Sequence, residues 1–142
     1  MKLKSASRAA LFDDLARLIL RVGFGVLIMF HGMYKVRYGV GDIQKALLAT
    51  GLPPVLSYGV FVGELVAPAL MILGAFTRPA AVVLAGTMVF AMYLMYADHF
   101  GVLTANGGWG VELPCVYFLA ATAVALMGPG RFSVGKRGGW LN

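Results

Sequence analysis

Arg21, His31, Lys35, Glu64, His99 and Glu112 are the side chains with most chemistry to offer in this sequence, because each is ionisable and lies in or beside a long apolar run. An ionisable group at bilayer depth costs roughly 2.5–3.5 kcal/mol or more, so each needs a partner, a water-filled cavity or a purpose. At about 100° per residue, Arg17, Arg21, His31 and Lys35 fall within an arc of about 80° and make one polar stripe on a helix. Arg17 and Lys35 can snorkel to opposite interfaces. Arg21 lies about 9 Å inside its end of the run and is expected to point inward. Glu64 lies about 12 Å from the other end of the next apolar run, with Arg21, His31 and Lys35 as candidate cations. Glu112 opens the last run near the same level, and Asp98 with His99 ends the third.

These positions predict a polar pocket lined by Arg21, His31, Lys35, Glu64, His99 and Glu112. A histidine can exchange protons near neutral pH and a carboxylate can relay them, so the set suits a small-molecule or quinone-head site. Two other readings of the same residues stay open. One is an ion-pair network that fixes helix register. The other is a metal site, although two histidines and two glutamates on separate segments lack short ligand spacing, and no metal is expected. Met29, Met33, Met71, Met88, Met92 and Met95 read as core and lipid-facing filler rather than copper ligands. Cys115 is the single cysteine, which excludes an internal disulfide and a CxxC redox pair, and it reads as a small buried hydrophobe. There is no phosphate loop, nucleophile elbow or haem-attachment motif, so no catalytic residue of the chain's own is expected.

The elements that must position these groups are set by composition. Of the 142 residues, 60% are hydrophobic and 13% charged, and the mean hydropathy is +0.82. Too few polar residues remain to cover a soluble domain of this size, so the surface must face lipid. The net charge of +6 does not imply nucleic acid, because the basic residues gather at the ends of apolar segments. No small-residue cleavage site follows the first apolar run, which is therefore kept as a span.

A crossing of the roughly 30 Å hydrocarbon layer needs about 20 apolar residues. Four runs qualify, at about 15–34, 56–76, 79–96 and 109–127. Pro68 lies within the second, Pro79 opens the third, and Gly128-Pro129-Gly130 stops the fourth. The expected fold is all-α: one polytopic domain over residues 1–142, built as a bundle of four transmembrane helices. Between the first two runs, Asp42 can cap a short helix to Thr50, which either lies at the interface or folds over the bundle. Thr77-Arg78 is the expected link between the second and third spans.

Lys2, Lys4, Arg8, Arg17, Arg78, Arg131, Lys136 and Arg137 lie on one side, and Lys35, Arg37 and Lys45 on the other. Eight against three places both termini in the cytoplasm, with Tyr34, Tyr38, Tyr58, Tyr96 and Trp109 at the outer interface. Gly23, Gly25, Gly63, Ala81, Ala85, Gly86 and residues 120–125 allow close helix approach.

Several ordered motifs resemble the DoxX family of four-helix membrane proteins. They are Arg21-Val22-Gly23-Phe24-Gly25, His31-Gly32 with Lys35, Gly63-Glu64-Leu65, and Leu73-Gly74-Ala75-Phe76-Thr77-Arg78-Pro79-Ala80-Ala81. The closing Gly107-Gly108-Trp109-Gly110-Val111-Glu112 and Gly128-Pro129-Gly130-Arg131-Phe132-Ser133 are similar to its last helix and tail. The tail departs from many relatives by having Val134-Gly135 where they place Leu-Asp. The resemblance implies a multi-pass inner-membrane subunit associated with redox, quinone- or sulfur-linked, beside soluble enzymes or other membrane subunits. It implies a quinone as the conceivable cofactor and names no reaction. A non-catalytic scaffold, with homo-oligomerisation open, and a small transporter are the alternatives.

Overall fold

The computed structural model describes the backbone of residues 2–135 and 141–142, and the side chains of residues 8–135 and 141–142. Lys136 and Arg137, together with the side chains of Lys2 and Lys4, lie outside the described residues. The described chain is all-helical, 75% helix and without strands.

Helix α1 spans Lys2–Tyr38 and α2 Gly41–Ala49. Column α3, Pro54–Leu73, changes pitch along its length, from a 3₁₀ turn at Pro54–Tyr58 through Gly59–Phe61 and a π turn at Val62–Val66 to regular helix at Ala67–Leu73. Helix α4 spans Thr77–Met95, and α5 spans Glu112–Met127. Pro68 accounts for the π turn. It has no N–H for the ladder and its ring crowds the carbonyl four residues back, at Glu64, so the preceding turn widens.

The four rods meet along a seam of small and medium side chains. Ala80, Ala81, Leu84 and Met88 of α4 pack on Tyr117, Ala121 and Val124 of α5, and Ile28 of α1 and Ala67 and Met71 of α3 close the core. Without a hydrophobic drive between helices in lipid, such close packing supplies the association. The outward faces are apolar: Ile19, Phe30, Val82, Leu119 and Leu126 are all strongly exposed. Arg8–Tyr38, Pro54–Leu73 and Thr77–Met95 are long and apolar enough to cross a membrane, while Glu112–Met127 has only 16 residues.

Several boundaries differ from the sequence expectation. The second rod ends at Leu73 because Gly74, at φ 73°, takes the left-handed conformation and its N–H closes on Leu70 O and Met71 O. The link to α4 is therefore residues 74–76, and Thr77 and Arg78 already belong to the helix. The last rod starts at Glu112, since Trp109 is held in the loop, where its indole donates to Phe100 O at 2.8 Å. Asp42 is not a cap. Val40 occupies that position, and Asp42 lies in the first turn of α2, 3.2 Å from Lys45. Helix α2 packs on the start of α3 and on α4, with Leu47 fully buried, so it folds over the bundle. Cys115 is only half-buried, its Sγ 3.4 Å from Met92 Sδ.

Candidate functional site

The polar stripe of α1 is present but serves two separate places, since Arg21 and His31 are about 15 Å apart along the helix. At the end where α1 begins, the arginines bind helix-terminal carbonyls. Arg21, 1% exposed, donates through Nη1 to Met71 O at 2.8 Å and Ile72 O at 2.6 Å, and through Nη2 to Phe132 O. Arg17 donates to Met127 O, and Arg78 to Ala125 O at 2.9 Å and Leu126 O at 3.1 Å. The last carbonyls of a helix lack intrahelical donors and carry the negative end of its dipole, so three guanidinium groups suit them.

The tail is fastened to the same end. Val134 N–H donates to Leu73 O and Gly135 N–H to Gly74 O, each at 3.1 Å, and Arg131 N–H donates to Asp14 Oδ1 at 2.8 Å. Two of these bonds come from the backbone of Val134-Gly135, so the departure from Leu-Asp leaves this attachment intact.

At the opposite end the structure brings together His31, Lys35 and Glu64. The Lys35 ammonium donates to Glu64 Oε1 in a direct ion pair, and the Glu64 side chain is 5% exposed against 24% for Lys35. Two features set the pairing. The π turn carries Glu64, and Gly32 lets α1 approach it, since a Cβ on Gly32 would lie 2.7 Å from Glu64 O and 2.6 Å from Leu65 Cδ2. The His31 ring meets Tyr117 edge-on, with centroids 5.9 Å apart, and Tyr117 meets Phe24 in the same way.

These groups line a cavity of about 710 Å³ between the rods. Its wall includes His31, Lys35, Ser57, Glu64 and Tyr117, completed mainly by apolar residues such as Ile28, Met88 and Leu94. Two of its lining residues each carry a buried polar atom without a hydrogen-bond partner, Glu64 Oε2 and Ser57 Oγ. Buried polar atoms are nearly always satisfied, and orphaning one costs about 1–3 kcal/mol, so a pair on one cavity wall requires an explanation.

Arg21, His99 and Glu112 do not join this cluster. Arg21 is engaged at the far end, as described. His99 is exposed and packs edge-on against Tyr96, centroids 5.8 Å apart. Glu112 is exposed in the first turn of α5, where its charge faces the positive end of the helix dipole. Neither borders the cavity. Helical periodicity placed all three at plausible depths, but depth along an axis does not determine which neighbour a side chain meets. Sequence reasoning missed Ser57 and Tyr117. Ser57 carried a usable signal, as a small aliphatic hydroxyl just past Pro53-Pro54 in an apolar stretch, whereas Tyr117 gave none beyond being a phenol one turn inside the last rod.

Among the described residues no group of three or more His, Cys, Asp or Glu is placed to hold a metal. No curated protein and no solved structure matches the chain. The DoxX family model matches residues 16–97, more than half of the chain, a stretch that contains Arg21, His31, Lys35, Ser57 and Glu64 and ends before His99 and Glu112. On that match, the chain belongs to the DoxX family.

Proposed function

We propose that this protein is a redox-associated membrane subunit that holds a small, quinone-like ligand in the cavity beside Lys35 and Glu64. One observation carries the reading: a buried ion pair and a buried hydroxyl stand on the wall of a largely apolar cavity with hydrogen-bonding capacity unused. A volume of about 710 Å³ falls within the range usual for small-molecule sites. A quinone fits this wall as a flat, apolar body whose ring oxygens can meet Lys35, His31 or Ser57. Electrons to or from it would be exchanged with a partner enzyme, the chain itself supplying binding and orientation.

The setting that goes with this reading is an inner membrane crossed four times by a single domain, with both termini in the cytoplasm. Three rods satisfy the length criterion, and α5, at about 24 Å by helix rise, spans most of the layer, with Trp109 nearby to anchor its end. The basic residues weighted toward the termini support this orientation, in which the cavity would lie in the outer half of the bilayer.

The test is ligand-dependent stability of the purified full chain. A quinone analogue at about one hundred times its Kd adds about 2.7 kcal/mol to stability and raises the melting temperature. His31→Ala should weaken that stabilisation while the protein stays assembled. If short-tailed quinones and quinols both leave the melting temperature unchanged, the reading is lost. A scaffold role is favoured by a different observation, the ring of exposed apolar side chains such as Phe30, Val82 and Leu126 available to other membrane subunits. It would then stand alone.

A further inference from the structure

We infer that the cavity selects a neutral amphiphile that donates a hydroxyl hydrogen bond, a phenol or hydroquinone, over an equally shaped molecule that can only accept, such as the quinone. This inference rests on the ligand-pocket reading and goes beyond it by naming the head-group chemistry.

The argument starts at the two unsatisfied atoms. A carboxylate only accepts hydrogen bonds, and Lys35 occupies Oε1, so Glu64 Oε2 can be satisfied solely by a donor. Glu64 is 4% exposed, so bulk water is a poor source of that donor. Ser57 Oγ, 1% exposed, can donate or accept and sets no preference by itself. The charge of the ligand follows from the pair. Lys35 already offsets Glu64, so a charged ligand would bring an uncompensated charge into an apolar wall and lose its hydration.

Apart from His31 and Thr87, whose hydroxyl donates to Val83 O, the remainder of the wall is apolar or aromatic, with Tyr117 presenting a ring, which suits a flat apolar body. An oxidised quinone presents only carbonyl oxygens, which leaves Oε2 orphaned. Its hydroquinone presents a hydroxyl to the same atom at almost unchanged shape.

The experiment compares binding of decylhydroquinone, decylquinone and the dimethyl ether of decylhydroquinone to the purified full chain in detergent, without oxygen, by calorimetric titration. The hydroquinone should bind about tenfold tighter than either of the others, the equivalent of one hydrogen bond to a charged acceptor. 4-Decylphenol should behave like the hydroquinone, which separates donation from redox state. Glu64→Gln supplies a second readout. The amide oxygen takes the place beside Lys35, leaving an NH₂ donor where Oε2 was, which a carbonyl or a hydroxyl oxygen can both accept, so the hydroquinone's advantage should disappear.

Equal binding of the three decyl compounds to the wild type overturns the donor preference while leaving a ligand pocket in place. Absence of binding by every probe overturns the pocket and this inference together. The wild-type comparison needs no variant, and Ser57→Ala, which should weaken all probes without changing their order, serves if Glu64→Gln does not fold.

Discussion

The carboxylate of Glu64 and the ammonium of Lys35 share one contact but not one environment. Glu64 is 5% exposed at the side chain and Lys35 24%, so a freed ammonium can lean toward the interface while a freed carboxylate cannot. Removing the partners should therefore give unequal effects. Lys35→Met is expected to cost roughly 3 kcal/mol by leaving a buried charge unpaired. Glu64→Gln keeps an oxygen for Lys35 and should cost about 1 kcal/mol or less. Unfolding in mixed micelles measures both, and equal losses would argue that the pair acts only as a register lock. At this scale the ionisable residues were legible in the sequence because charges stand out in apolar runs. Their partners were not. Arg21, His31 and Lys35 were equal candidates for Glu64 until the packing of α1 on α3 settled it: Gly32 brings Lys35 over the π turn, and Arg21 meets the ends of α3 and the tail.

Helix ends and crossings in this protein depend on particular glycines, and the same substitution separates them. Gly74 sits at φ 73°, and a Cβ there would lie 2.8 Å from Arg21 Nη1 and 2.9 Å from Ser133 Cα. Gly74→Ala should cost about 2 kcal/mol or more through backbone strain and loss of the tail contacts. Gly23 lies within α1 and a Cβ there meets nothing within 4 Å. Gly23→Ala should be neutral or stabilising by up to about 1 kcal/mol. Thermal unfolding of the two variants checks this, and comparable losses would mean that the tail junction is not where the strain resides. The sequence marked Gly23 as a small residue suited to close approach and left Gly74 inside the second apolar run, without signalling the turn there. Element existence was legible from runs of apolar residues, but boundaries such as Leu73 and Glu112 were not, because a glycine's sign of φ and a loop-held Trp109 are products of tertiary contacts.

For the whole molecule, orientation is the property on which the placement of the cavity depends. A reporter fused after Asn142 should be active only in the cytoplasm, and one inserted near Asn106 only outside; the opposite pattern would put the cavity in the inner half of the bilayer. The two polar ends divide the labour: arginines bind helix-terminal carbonyls where the tail docks, and the ion pair meets the cavity at the other end. By itself the sequence determined that the chain is helical, lipid-facing and interrupted by a few costly charges, because those properties follow from composition and run length, which are additive along the chain. Only the tertiary structure decided that Lys35 pairs with Glu64, that Arg21 leaves the pocket, and that Ser57 and Tyr117 enter it. Each of these depends on the rotation and approach of one rod relative to another, which no periodicity within a single rod encodes.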